Sequence, residues 1–355
     1  MDHRPREEKC RYRREHRDGG CFRFLFRLFV VVVLGVLLLK FVLRDQFPIG
    51  ALRDSVGVVR VDGPIYDSTA AAKALREMGK DKHVKAVVVR IDSPGGSVGA
   101  SEEIYRGVVR LREKSKKPVI ISMGNVAASG GYYIAVAGQE IFANAGTITG
   151  SIGVIATDFN IEEILKRVGV KPEIIKSGEH KDGGSPLREM TPEERHLIQD
   201  VIFDMYRQFM RTVLSARHKQ IEKAMADHPA DFVTILGPER TKKPGGAIEF
   251  DAFTTGTIAA QAGATTETET ALRQMADGRV FSGEQALKLG LIDQIGTYYD
   301  AVERAGKLGG LGESPTIFER TAERSWPAML GANARRFLQE VSGSGASVEY
   351  RSGAN

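Results

Sequence analysis

The sequence predicts an α/β protein: a mostly parallel β-sheet flanked by helices and preceded by one N-terminal transmembrane helix. Three observations carry this reading. Residues 55–62 (SVGVVRVD), 84–91 (VKAVVVRI) and 117–123 (KPVIISM) are short, β-branched apolar runs with the look of buried strands. Helical stretches alternate with them, and strand–helix–strand alternation implies parallel strands joined by crossover helices. Near the start lies a long apolar run of a kind that soluble cores rarely need.

That run, residues 24–43, reads FLFRLFVVVVLGVLLLKFVL. As a helix its twenty residues rise about 30 Å, the thickness of a bilayer core. Arg27 and Lys40 fall near its ends, where long side chains can reach the headgroups. A cleaved signal peptide would need a small residue at the first position of a small-x-small site, and Ile49-Gly50-Ala51 offers isoleucine there. The expectation is therefore an uncleaved anchor at 28–43, whose apolar run may be counted from 24. Residues 1–27 hold nine Arg or Lys against five Asp or Glu, which by the positive-inside rule makes them a basic cytosolic arm. A linker follows at 44–54.

The body is expected to run over 55–318. Helices are expected over 68–78, ending at Gly79, and over 98–114, where Ile104, Val108 and Leu111 recur at helical spacing. Thr191-Pro192-Glu193-Glu194 is a capping box with proline at the first helical position, so a long helix starts there and runs to about Ala226. Residues 236–272 have little apolar periodicity and read as an inserted, exposed loop. Order returns at 276–293 (ADGRVFSGEQALKLGLID) with a turn, a short helix and a strand. Residues 319–355 form the C-terminal tail, its last fifteen residues Gly/Ser-rich and read as disordered.

From residue 44 onward 40 basic residues balance 40 acidic ones, which argues against nucleic-acid binding. Both cysteines, Cys10 and Cys21, lie in the arm, so neither a disulfide scaffold nor a zinc ribbon is possible. The histidines show no metal-ligand spacing, and P-loop and dinucleotide fingerprints are absent. The expectation is no metal and no cofactor.

Ala127-Ala128-Ser129-Gly130-Gly131 follows a buried strand and opens a helix. A serine there has free backbone N–H groups close by, able to stabilise a developing oxyanion. Its bland alternative, a helix N-cap, is the commonest job for serine at such a junction. Asp92-Ser93-Pro94-Gly95-Gly96 comes at the carboxyl end of the second strand, where parallel sheets place their ligands. A serine nucleophile needs a base, and Ser177-Gly178-Glu179-His180-Lys181-Asp182 offers two adjacent ones. His180 would make a triad with a degenerate G-x-S-x-G elbow. Lys181 would have to be held neutral, which burial beside an apolar substrate favours. Spacing leaves the choice open.

AASGGYYIA, DSPGG, TGSIGV, KSGEHKDGGSP and the closing ADGRVFSGEQALKLGLID together resemble the bacterial signal peptide peptidase A family, also called protease IV, over about residues 55–235 and 275–318. The resemblance implies a crotonase/ClpP-like fold and a Ser–Lys serine endopeptidase that degrades hydrophobic remnant signal peptides. It implies Ser129 as nucleophile and Lys181 as general base, with Ser151 of TGSIGV orienting the lysine. The Gly96 N–H, joined by that of Gly130, would form the oxyanion hole. It further implies a homo-oligomer resembling the closed rings of short family members, on the outer face of the cytoplasmic membrane. The alternatives are a crotonase-like acyl-CoA enzyme and an inactive anchored scaffold of the same fold.

Overall fold

The computed structural model describes residues 29–30, 53–237, 257–320 and 348–351. The chain divides into two units, Met1–Arg53 and Asp54–Asn355. The basic arm and, apart from Phe29 and Val30, the anchor expected at 28–43 lie outside the described residues. Among the described residues no helix is long and apolar enough to cross a membrane.

Three long strands form the centre of the second unit: β1 (Ser55–Asp62), β2 (Val84–Ser93) and β4 (Val119–Ala128). They pair in parallel, with Val58 opposite Val88 and Val88 opposite Ile120. A strand buried on both faces reads as a continuous apolar run, which is why the β-branched stretches stood out in the sequence. The sheet extends through β5 (Glu140–Ala143), β9 (Gln294–Ile295) and β10 (Ile317–Arg320), and the order is β10-β1-β2-β4-β5-β9. Helix α1 (Thr69–Lys80) presents Ala74, Leu75 and Met78, and α2 (Val98–Glu113) presents Ile104, Val108 and Leu111, to one core. On the other face Val58, Val88 and Ile120 pack with Ala301, Val302 and Ala305 of a C-terminal helix spanning Tyr298–Leu308. Helices thus cover both faces, as the alternation implied.

The sheet is mixed, however. β6 (Ile148–Gly150) runs parallel to β4 but antiparallel to β8 (Val280–Ser282). A separate three-stranded antiparallel sheet has the order β3 (Gly95–Ser97), β11 (Val348–Arg351), β7 (Ile155–Ala156). These strands are two to four residues long, too short to show a period of two, and their partners are remote in sequence. The expected disordered tail is corrected at 348–351, which are extended and paired on both edges.

The other helices, in chain order, are α3 (Gly130–Ala135), α4 (Glu162–Arg167), α5 (Pro192–Asp227), α6 (Pro229–Leu236), α7 (Thr257–Ala262) and α8 (Thr266–Met275). The capping box of α5 forms as expected: Glu194 N–H donates to Thr191 Oγ1 (3.2 Å) and Thr191 N–H to Glu194 Oε2 (2.9 Å). Between Gly283 and Lys288 lies the short helix expected after the turn, α9, and Tyr298–Leu308 is α10.

The inserted loop expected at 236–272 is corrected over its second half, because α7 and the start of α8 are core elements. Ile258, Ala259, Ala271 and Leu272 are buried, together with the polar Thr268 and Glu269. Hydrogen bonds make that polar burial tolerable. The Ala259 N–H donates to Glu269 Oε2 (2.8 Å), Arg273 Nε to Glu269 Oε1 (3.0 Å), and Thr268 Oγ1 to Glu222 of α5 (2.9 Å). Counting apolar residues could not detect a helix whose buried face is partly Thr and Glu. Residues 238–256 lie outside the described residues. Leu272 is fully buried, so Leu272→Ala should cost about 2–5 kcal/mol in chemical denaturation. A change below about 0.5 kcal/mol, typical of a surface position, would put this segment back outside the core.

Candidate active site

β4 delivers its last residue, Ala128, to the carboxyl edge of the sheet, and Ser129 turns the chain into α3. That turn requires φ 55° and ψ −118° at Ser129. Among the described residues only Lys116, Ser129 and Ser151 combine a side chain with positive φ, so two of the three are residues singled out from the sequence. Such conformations cost on the order of 1–3 kcal/mol each and gather where function demands them. Helix α3 is pinned from below: the Tyr132 hydroxyl, fully buried, donates to Leu291 O (2.9 Å).

The Ser129 side chain does not cap α3, which removes the bland alternative. It is fully buried, and among the described residues its Oγ has no hydrogen-bond partner. Leaving a buried hydroxyl unpaired costs about 1–3 kcal/mol, and the described residues of this chain supply it no partner.

Its surroundings are backbone. The Ser129 N–H donates to Gly150 O (2.8 Å), and β4 and β6 pair Ala128 with Gly150, so Ser151 lies at the adjoining strand end. Ser151 is buried, and its N–H donates to Arg279 O (2.8 Å). On the other side sits the DSPGG turn. A Cβ on Gly130 would lie 3.4 Å from Gly95 Cα and 2.3 Å from Ser101 Oγ, and one on Gly131 would lie 3.0 Å from Ser93 O. Only glycines let the two turns approach this closely. Gly96 is fixed likewise, since its Cβ would fall 2.4 Å from Ile65 O. Gly130 opens α3, so its N–H has no acceptor inside the helix. The Ser129 N–H, already used, is not available for an oxyanion.

The structure therefore brings together Ser129, Gly130, Ser151 and the Gly95–Gly96 turn. It does not bring either base to the serine. Lys181 lies in the exposed stretch between α4 and α5; its N–H donates to Gly178 O (3.2 Å), and its side chain makes no hydrogen bond or ion pair with a described residue. The neighbouring His180 faces helix α5 instead, its Nε2 3.8 Å from Glu193 Oε1. Among the described residues no group of His, Cys, Asp and Glu could hold a metal ion.

One contact at the site was not anticipated. β11 lies antiparallel on β3 with Tyr350 opposite Gly96 and Arg351 opposite Gly95, and on its other edge Val348 pairs with Ala156. An extended segment of the chain thus occupies the edge that carries Gly96. Val348 and Tyr350, β-formers in a Gly/Ser-rich tail, were the sole local signal.

Family models match in two places: peptidase family S49 over residues 111–231 and 255–312, and Clp protease over residues 53–148. A protein named as a protease in Synechocystis sp. is 39% identical over 73% of this chain and 76% of its own length. One named signal peptide peptidase SppA in Enterococcus faecium is 30% identical over 68% of this chain and 56% of its own. Protease 4 of Haemophilus influenzae is 30% identical over 72% of this chain and 35% of its own. The chain thus spans little more than half of the second relative and about a third of the last.

Proposed function

This chain belongs to peptidase family S49 and has a ClpP-like α/β fold, and from that premise we propose that it is a membrane-anchored serine endopeptidase cutting hydrophobic peptides, remnant signal peptides among them, with Ser129 as nucleophile and Lys181 as base. The observation that carries this reading is Ser129 itself, strained, buried and without a partner among the described residues, at a strand-to-helix turn beside a glycine turn. In the proposed reaction neutral Lys181 accepts the Ser129 hydroxyl proton as Oγ bonds to the scissile carbonyl carbon. The carbonyl oxygen becomes an oxyanion facing the N–H groups of Gly96 and Gly130. Collapse breaks the C–N bond, and the Lys181 ammonium returns its proton to the leaving amine. Water, deprotonated by Lys181, then releases the acyl group from Ser129.

The base comes from a second copy in this reading. The stretch that leads to Lys181 exposes large apolar side chains: Phe159 and Val168 at 66%, Ile164 at 61% and Ile175 at 94%. Apolar surface of this kind marks an interface, and a copy of the same chain seated on it supplies the amine that Ser129 lacks. Ser151 beside the serine orients that amine. No metal or cofactor enters the chemistry. The anchor at 28–43 holds the body against the outer face of the cytoplasmic membrane, where apolar peptides concentrate.

Pairing of β11 with β3 favours a peptide over an acyl-CoA, because a sheet edge that accepts an extended chain recognises backbone amides. Substrate and tail would compete for that edge. Full-length chain in membranes should react with a fluorophosphonate at Ser129, and a chain ending before Val348 should react faster and show a lower KM for an apolar peptide. Failure of Ser129 to label in a folded chain would overturn the peptidase reading. Unchanged labelling and KM after truncation would remove the competition.

A further inference from the structure

Lys181 stands in a loop crowded with charge: Lys176, Glu179, His180, Asp182, Arg188 and Glu189, with Glu193 and Glu194 opening α5. One side chain organises it. Arg188 donates from Nε to Asp182 Oδ2 (2.7 Å) and from Nη2 to Asp182 Oδ1 (2.9 Å). The same guanidinium donates from Nη1 to Glu194 Oε2 (2.9 Å), from Nη2 to Glu194 Oε1 and from Nη1 to the Glu189 carbonyl (2.9 Å). Glu194 is the third helical residue of α5, locked in the capping box with Thr191. Asp182 is the residue after Lys181. The side chains of Asp182 and Glu194 are only 10% and 4% exposed, and that of Arg188 26%.

We infer that Arg188 is the positioning residue of the proposed base: it fastens the Lys181 loop to the N-terminus of α5 and cancels the carboxylate next to the lysine. This rests on the Ser129–Lys181 reading above.

A planar guanidinium with two carboxylates in its fork fixes orientation as well as distance, which an ammonium cannot do. The other restraints on the stretch are local: Lys176 Nζ donates to Glu179 O (2.6 Å), and turn hydrogen bonds run from Lys181 N–H to Gly178 O and from Gly183 N–H to His180 O, while the side chains of Glu179 and Lys181 are exposed. On the electrostatic side, a free carboxylate beside Lys181 would favour the ammonium, and an ammonium accepts no proton. Asp182 is matched by Arg188 and by Lys176 Nζ, 2.7 Å from Oδ1. With Glu194, two negative charges meet two positive ones. Of the remaining acids, Glu193 faces His180 at 3.8 Å, and Glu162 of α4 pairs with Lys166 at 2.8 Å. Glu163 also lies near Lys166, at 3.5 Å, and Glu179 and Glu189 are exposed to screening water. Hydrogen bonds from Arg188, then Lys176, hold the Asp182 carboxyl well below the usual range, and those from Arg188 lower Glu194 to about 2. The clamp therefore stays charged throughout the range in which a peptidase would work.

The test uses the full chain. Arg188→Ala should lower kcat on an apolar peptide by about 100-fold, the scale of a misplaced reacting group, with KM little changed. It should also move the alkaline limb of the pH–rate profile to higher pH, because Asp182 is left with Lys176 alone and Glu194 loses its guanidinium partner. Adding Asp182→Asn should bring the limb back without restoring kcat, and Arg188→Lys should restore the limb but little of kcat. If Arg188→Ala does not fold, Asp182→Asn alone serves, and its limb should move to lower pH because the matching cations remain. Wild-type kcat in Arg188→Ala, or an unmoved limb in these variants, would overturn the inference. Should Lys181→Ala keep its activity, the Ser–Lys reading itself fails, which distinguishes the two failures.

Discussion

Ser129→Ala is expected to abolish peptide hydrolysis while leaving the protein folded and no less stable. Most substitutions at a fully buried position destabilise, so the second half of this expectation is the unusual one. It follows from the site. The Ser129 Oγ makes no hydrogen bond to a described residue, so its removal strands none of them. Alanine has the same Cβ in the same strained backbone, so the positive φ costs neither residue more than the other. A buried unsatisfied hydroxyl disappears, and that favours the folded state by about 1–3 kcal/mol if nothing else changes. Loss of the nucleophile should reduce kcat by on the order of 10⁴–10⁶, as deletions in serine peptidase machinery do. Steady-state turnover and a thermal melt on one sample measure both effects. Undiminished turnover would remove Ser129 from the chemistry. A markedly lower melting temperature would mean that its hydroxyl has a structural partner.

The parts of this fold that the sequence made legible are those whose signal is local. β1, β2 and β4 are continuous β-branched runs because both faces are buried, and Thr191–Glu194 states a helix start in four letters. Ser129 and the Gly95–Gly96 turn stood out only in combination, since each alone has a commoner reading as an N-cap or a tight turn and the family resemblance rests on several motifs in order. Elements whose identity depends on distant partners stayed hidden. α8 buries Thr268 and Glu269, residues that read as surface until Glu222 and the Ala259 N–H are beside them. β11 has two β-formers in a Gly/Ser-rich tail, and its partners β3 and β7 lie about 190 residues or more away in sequence, on the order of half the chain. Arg188 passed unnoticed for the same reason, since nothing in GSPLREM announces two carboxylates converging on one guanidinium.

Lys181→Ala should be as inactive as Ser129→Ala, whereas His180→Ala should keep most of its activity. The two residues are adjacent, so a merely local disturbance of the loop would affect both variants alike. Their surroundings differ. His180 is turned to Glu193, its Nε2 3.8 Å from the carboxylate, while among the described residues the Lys181 amine and Ser129 Oγ have no partner. The sign of the pH dependence follows from the base. An amine accepts a proton only after losing its own, so activity should rise with pH along a limb that His180→Ala leaves in place. A histidine base would instead give a limb that His180→Ala removes. Mixing the two inactive chains adds a second discrimination. Ser129→Ala chains retain a working lysine and Lys181→Ala chains a working serine, so co-assembly should restore hydrolysis wherever an intact pair meets across an interface. If each serine used the lysine of its own chain, no mixture would recover, and the exposed apolar stretch at 159–175 would need another partner. An active Lys181→Ala beside an inactive His180→Ala would reject the Ser–Lys mechanism in favour of a histidine triad.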